Sequence, residues 1–269
     1  VDVDPSRPGP VLDDRQLGRL RASRFSDVVQ LAETASTNSL LLERARAGAA
    51  AGLVVVADYQ TAGRGRFDRR WESPPGKSLL FSVLLRPSEQ ELPAPRRHLA
   101  VAAVSLALVE GAVAAAGVDV QLKWPNDLVI GDLKLAGVLA ESAADGALVV
   151  GAGINVDWAP EGMPVTHLSA AARRSVNRGE LLVESLLALD RIYGRWDVVG
   201  ERYRASCATV GRQVVVHLAD DVPPLEGTAT AVDGEGRLVV RTSAGAYVTV
   251  AAGDVAYVRP AGAPSLFPQ

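Results

Sequence analysis

Apolar residues in this chain gather into short runs rich in β-branched side chains, separated by polar, glycine-bearing breaks, with two longer stretches at helical spacing. "DVVQLAE" (27–33) predicts a strand. The helix that follows, over roughly 37–47, opens at "STN", whose side chains suit N-cap positions, and closes at Gly48. "GLVVVADY" (52–59) and "SLLFSVLLR" (78–86) predict central strands, with a polar, Gly-rich loop between them. "HLAVAAVSLALVEGAVAAAGV" (98–118) has about the length of a membrane span, but its alanine richness and central Glu110-Gly111 predict a buried core helix. "VDVQLKW", "DLVIG", "LKLAGVLAES" and "GALVVGAGINV" follow as successive strands, with "GD" at 131–132 as a hairpin turn. Helical spacing returns over about 179–204. From Val210 the pattern is almost entirely short strands and turns, which predicts a small β-barrel. The predicted organisation is a flexible lead (1–25) with room for one short helix, an α/β body (26–209), the small β domain (210–260) and a tail (261–269).

Composition narrows the function. The chain has 269 residues, 48% hydrophobic and 22% charged, enough for one large core and a small one. Net charge is −3 with pI near 5.7, so no general basic field exists to hold nucleic acid or an anionic membrane, and neither partner is expected. Phosphate chemistry would have to rest on a local patch. The single cysteine, Cys207, excludes an internal disulfide and a Cys-based zinc site, while His98, His167 and His217 lack metal-ligand spacing. With no signal-peptide pattern in "VDVDPSRPGPVLDD", a reducing cytoplasm is expected.

Such a patch exists in "QTAGRGRFDRRWESPPGKS" (60–78), where Arg64, Arg66, Arg69 and Arg70 stand beside Gly63 and Gly65. Glycine lets backbone N–H groups face an anion, and arginine forks bind phosphate or carboxylate oxygens in pairs. Four like charges on so short a loop are expected to leave it loose until an anion arrives. Trp71 offers a flat face that either stacks on a ring or packs the loop down. "PPGKS" ends like a phosphate-binding Walker loop, but the glycine that motif requires is Trp71 here; "GAGINV" (151–156) resembles a dinucleotide fingerprint, but its third glycine is Val156. Only three residues are lysines, and two of them, Lys123 and Lys134, fall in "LKWPNDLVIGDLKLAG" (122–137). In "KWPND", Pro125 stiffens a turn that presents Lys123, Asn126 and Asp127; an amide beside a carboxylate can hold a base or ribose and a hydrated Mg²⁺, or form an ordinary Asx turn. Lys134, on an apolar strand, should bury its stem and aim its ammonium at one partner.

Together "STN" (36–38), "QTAGRGR" (60–66), "RRWESP" (69–74), "KWPND" (123–127), "KLAGVLAE" (134–141) and "GAGINV" (151–156) closely resemble the biotin protein ligases over about residues 30–260. The resemblance implies an α+β fold, a mixed or antiparallel sheet with helices like that of class II synthetases, plus a C-terminal SH3-like β-barrel. It implies that biotin attacks the α-phosphate of Mg·ATP to give biotinyl-5′-AMP, and that a lysine of a biotin carboxyl carrier domain of a biotin-dependent carboxylase then takes the biotinyl group. By matching motif, Ser36, Thr37, Asn38 and Gln60 would bind biotin, with Gly63, Arg64, Gly65 and Arg66 closing over its carboxylate and the phosphates. Arg66, Arg69, Trp71, Lys123, Asn126, Asp127 and Asn155 would bind ATP, with Asp127 at the metal, and Lys134 would sit near the activated carboxylate. Lys123, Arg64 and Lys134 would be catalytic. Asp68 departs from the family, which often has glycine there. Some members carry an N-terminal helix-turn-helix; only about 25 residues precede the body here, and DNA binding is not expected. A lipoate or octanoate ligase or transferase of related fold, expected to show a Gly-Gly-Gly loop, and a biotin sensor that does not transfer its ligand are the alternatives.

Overall fold

A seven-stranded mixed sheet carries the larger part of the chain, in the order β1-β2-β3-β7-β6-β5-β4. Its strands are β1 (Val28–Thr34), β2 (Val54–Gln60), β3 (Ser78–Leu85), β4 (Gln121–Lys123), β5 (Asp127–Ile130), β6 (Leu133–Ser142) and β7 (Leu148–Asn155). Only β1 and β2 run parallel; every other neighbouring pair is antiparallel. The computed structural model describes residues 10–67, 69–218, 222–251 and 253–257, so Asp68 and the tail lie outside the described residues.

The apolar runs are continuous because the sheet is covered on both faces. On one face Val55 and Leu84 pack with Leu41, Leu42 and Ala45 of α2 (Thr37–Arg46). On the other, the alternate residues Val54, Val56, Phe81 and Val83 join the main core with α3 (His98–Ala116) and α5 (Arg178–Ile192), with the short α4 (Leu168–Ala172) between them in sequence. α3, apolar enough for a membrane span, is this core's central helix and ends at Gly117 in the left-handed region (φ 69°). Gly111 lets α3 and α5 touch: a Cβ there would lie 2.1 Å from Ser185 Oγ.

Two elements differ from the sequence reading. The expected helical stretch over 179–204 is two helices, because Gly194 (φ 82°) turns the chain between α5 and α6 (Trp196–Ser206). Residues 11–25 are packed down rather than loose: α1 (Asp14–Leu20) is capped reciprocally by Asp13 and Gln16, Arg19 pairs with Glu180 and Glu184 of α5, and Leu12, Leu20 and Phe25 are buried.

The C-terminal part forms a five-stranded antiparallel sheet, β11-β10-β9-β8-β12, from β8 (Gln213–His217), β9 (Leu225–Val232), β10 (Leu238–Arg241), β11 (Tyr247–Val250) and β12 (Asp254–Tyr257). Val214, Val216, Leu238 and Val240 are continuous with the main core. Buried Trp124 fastens the join, its backbone N–H donating to Thr209 Oγ1 (3.0 Å) and its indole N–H to the Gly236 carbonyl (2.8 Å). Gly111→Ala should force α3 and α5 apart and cost about 1–3 kcal/mol, read as a lower urea midpoint with unchanged m value; an unchanged midpoint would contradict the tight contact.

Candidate active site

One face of the seven-stranded sheet is cleared for a site by the absence of side chains. Gly151 and Gly153 lie two apart on β7, hence on the same face, and Gly137 of β6 pairs with Gly153. A Cβ on Gly151 would lie 2.0 Å from Asn38 Oδ1, and one on Gly153 would lie 2.5 Å from the Trp71 ring. The "GAG" of the discarded dinucleotide motif is thus a bed on which Asn38 and Trp71 sit.

The N-terminus of α2 supplies a buried polar cluster above this bed. Ser36 acts as the N-cap, its Oγ accepting from Ser39 N (3.4 Å). Thr37 donates its backbone N–H to Gln60 Oε1 (2.8 Å), with its hydroxyl 3.1 Å from the same oxygen. Ser82, fully buried on β3, lies 2.6 Å from Asn38 Oδ1 and 2.8 Å from Thr37 Oγ1. Asn38 Nδ2 donates to Glu141 (2.8 Å), and Glu141 also receives Arg64 (2.7 Å). These contacts pin Thr37, Asn38 and Gln60 as one unit.

Arg64 begins the basic loop, which folds back as a narrow hairpin: Gly65 N donates to the Arg69 carbonyl (2.7 Å) and Trp71 N to the Gly63 carbonyl (3.0 Å). The sequence leads one to expect a loop that stays loose until an anion arrives; here two protein carboxylates stand in for the anion, Glu141 on Arg64 and Asp254 of β12 on Arg69. Arg66 reaches Asn126 Oδ1 (3.3 Å) and the Gly253 carbonyl (3.2 Å). Burial pulls its guanidinium below the ordinary arginine value, opposed by Asp254 and Asp127. Trp71 packs down onto Gly153, and its buried indole N–H has no partner among the described residues. The hairpin roofs a cleft of about 500 Å³ lined by Gly63, Arg64, Arg66, Arg69, Leu139 and Glu141, within the usual size for small-molecule sites.

The two lysines flank one hairpin. Lys134 Nζ pairs with Asp127 Oδ1 (2.7 Å), across the β5–β6 ladder. Lys123, at the end of β4, is half-buried; burial pushes its ammonium below the ordinary lysine value, Asp127 opposes this and Lys134 adds to it. Asn126 Nδ2 donates to the Val138 carbonyl (2.9 Å), fixing the turn to β6. Asn155 is buried, with Nδ2 donating to the Thr166 carbonyl (3.1 Å). The structure therefore brings together Thr37, Asn38, Gln60 and Arg64 in one cluster and Arg66 with Asn126 in another. Lys134 lies beside Gly137 next to the Trp71 ring, whereas Ser36 and Asn155 spend their side chains on local backbone. Among the described residues no three His, Cys, Asp or Glu side chains converge on a metal-sized point.

A model of the biotin/lipoate A/B protein ligase family matches residues 31–158, and one of the biotin protein ligase C-terminal domain matches residues 209–257. The biotin–[acetyl-CoA-carboxylase] ligase of Mycobacterium tuberculosis is 35% identical over 270 residues, covering 96% of this chain and 100% of that protein. The chain belongs to the biotin protein ligase family. The ligase of the same name from Paracoccus denitrificans is 30% identical over 82% of this chain and 97% of its own length. Among solved structures, the biotin protein ligase from Aquifex aeolicus in complex with biotin and ATP superposes with a TM-score of 0.74 at 26% identity, over 88% of this chain and 100% of that one. The fold class expected from the biotin ligase motifs is thus met.

Sequence reasoning missed Ser82, Glu141 and the contribution of β12. A lone hydroxyl inside "SLLFSVLLR" and an acid closing "KLAGVLAE" were the available signals; nothing local marks Asp254. Ser82→Ala should strand Asn38 Oδ1 and cost about 1–3 kcal/mol of stability. Arg64→Ala removes only an exposed ion pair and should cost under about 1 kcal/mol. Denaturant unfolding of both checks this, and equal losses would contradict the buried role of Ser82.

Proposed function

We infer that the protein is an ATP-dependent biotin ligase that forms biotinyl-5′-AMP and passes the biotinyl group to a lysine of a biotin carboxyl carrier domain. The observation that carries this reading is the joining, through Glu141, of the pinned hydroxyl and amide cluster to a cleft roofed by arginines. A ureido ring needs donors and acceptors held at fixed spacing, and Thr37, Asn38 and Gln60 are held so. The biotin carboxylate would then lie toward Arg64, with Gly63, Gly65 and Arg66 closing over it. Family membership and the biotin- and ATP-bound relative favour biotin over lipoate and an enzyme over a ligand sensor.

In the first step the carboxylate oxygen attacks the α-phosphorus and pyrophosphate leaves. Arg66, Arg69 and Asn126 are suited to the phosphates and nucleotide, and Trp71 to a flat ring. Lys123 would neutralise charge growing on the α-phosphate oxygens, and Lys134 would hold the acyl end. Catalysis would rest on position and charge, without an enzyme nucleophile. In the second step the carrier lysine attacks the mixed anhydride and AMP leaves. Magnesium would enter with the nucleotide: Asp127 is a single carboxylate already engaged by Lys134, which does not fit a resident metal site, and no step is assigned to the ion. Asn155 would support the pocket wall, its side-chain amide being held by the Thr166 carbonyl. The division near residue 210 is supported by the separate sheets and by where the two family models match. A reducing cytoplasm suits buried, unpaired Cys207, and the acidic charge favours neither nucleic acid nor membrane as a partner.

With biotin, ATP and a carrier domain, labelling of the carrier and pyrophosphate release should both be seen. Lys123→Ala should lower kcat for pyrophosphate release about 10²–10³-fold, whereas Arg64→Ala should also raise KM for biotin; unchanged kinetics in both would overturn these roles. Because burial lowers the pKa of Lys123 and its charged form is the active one, the rate should fall on the alkaline side below the ordinary lysine value of about 10.4. Lys123→Arg should remove that fall; an alkaline limb unchanged by this substitution would assign it to another group.

A further inference from the structure

Lys123 makes no ion pair within 4 Å among the described residues; the carboxylate nearest to it in function, Asp127, is taken by Lys134 at 2.7 Å. What stands against its ammonium is the ring of Tyr257 on β12, with Nζ 4.8 Å from the ring centroid. The same ring has the Arg212 guanidinium 4.1 Å from its centroid, and Arg212 is in turn paired with Asp132 (2.7 Å) in the β5–β6 turn. The Tyr257 hydroxyl lies 3.3 Å from Thr209 Oγ1, which accepts the backbone N–H of Trp124, the residue after Lys123. One aromatic side chain from the C-terminal sheet therefore reaches Lys123 twice, at the ammonium through its ring face and at the main chain through Thr209.

We propose that Tyr257 is a positioning residue for the first step: its ring face holds the Lys123 ammonium in place at the end of β4 while leaving its charge unneutralised. A lysine stem rotates about four bonds, so a charge meant for one phosphate oxygen must be held by something. A carboxylate would hold it and cancel it; an aromatic quadrupole holds it and leaves the full charge available to an incoming anion. Arg212 steadies the ring, and its own charge is met by Asp132. This inference rests on the assignment of Lys123 to the α-phosphate.

The test is biotin-dependent pyrophosphate release by the full chain carrying Tyr257→Leu, Tyr257→Phe, Lys123→Ala, and Lys123→Ala with Tyr257→Leu. Tyr257→Leu should lower kcat roughly tenfold with KM for biotin nearly unchanged, and Tyr257→Phe, which keeps the ring, should recover most of the rate. In the Lys123→Ala background Tyr257→Leu should cost nothing further, because the ring acts only through the lysine. An equal loss in both backgrounds, a Phe variant as slow as Leu, or an unimpaired Leu variant would each overturn the proposal. Should Tyr257→Leu fail to fold, Tyr257→Met fills similar space without a ring face and is read the same way. Full activity of Lys123→Ala would instead defeat the assignment of Lys123, and the proposal with it. A slow Lys123→Ala beside a normal Tyr257→Leu would defeat the proposal alone.

Discussion

Trp124 is bonded at both of its nitrogens to the C-terminal part of the chain, and the arrangement of the cleft depends on that. Its backbone N–H is taken by Thr209 and its indole N–H by the Gly236 carbonyl, while Tyr203 donates its hydroxyl to the carbonyl of Pro125. The indole is also among the largest fully enclosed side chains. Lys123 immediately precedes this anchor and Asn126 follows it by two residues, so the presentation of both is set by contacts from Thr209, from Gly236 in the β9–β10 turn and from Tyr203 on α6. Burying an indole N–H without an acceptor would be costly, which makes the join between the two sheets a requirement of the fold as well as of the site.

Around that fixed turn the charges are held less firmly. Arg64 with Glu141 and Arg69 with Asp254 are ion pairs whose arginine side chains are 44% and 66% exposed. Pairs of this kind contribute at most about 1 kcal/mol, so an anion carrying several oxygens can displace the protein carboxylate at small cost. The hydroxyl and amide cluster of Thr37, Asn38, Gln60 and Ser82 is different. Its members are mutually bonded, Thr37, Asn38 and Ser82 are buried, and Asn38 and Ser82 sit on Gly151, where a Cβ would lie 2.0 Å from Asn38 Oδ1. One end of the site is held by mutual hydrogen bonds, the other by exposed ion pairs.

Much of this was legible in the sequence where the cause is local. The N-cap at Ser36, the central strands and the hairpin at 131–132 follow from side-chain chemistry within a few positions. The order of the motifs identified the family. What could not be read was contact between distant segments: Gly151 opposite Asn38, Gly153 under Trp71, Asp254 on Arg69, and Tyr257 beside Lys123 are each separated by some 80 residues or more. The period-two glycines of "GAGINV" carried a signal, since glycine inside a strand marks a close approach, but not the identity of what approaches. The sequence predicts a flexible lead over 1–25 with room for one short helix; a short helix has little stability alone, and Arg19 with its two glutamates on α5 supplies what the local sequence lacks.

The amides and hydroxyls of Thr37, Asn38 and Gln60 adjoin the cleft through Glu141, and a site built on such groups would select against a ring that cannot bond to them, because they would be left unpaired. Biotin offers a ureido group; the dithiolane of lipoate offers no comparable partner. The most direct measurement is therefore ATP–pyrophosphate exchange by the full chain, supported by biotin and by lipoate in parallel. The kcat/KM for biotin is expected to exceed that for lipoate by about 10⁴-fold; comparable values for the two acids, or no exchange with biotin, would contradict a biotin-activating cleft.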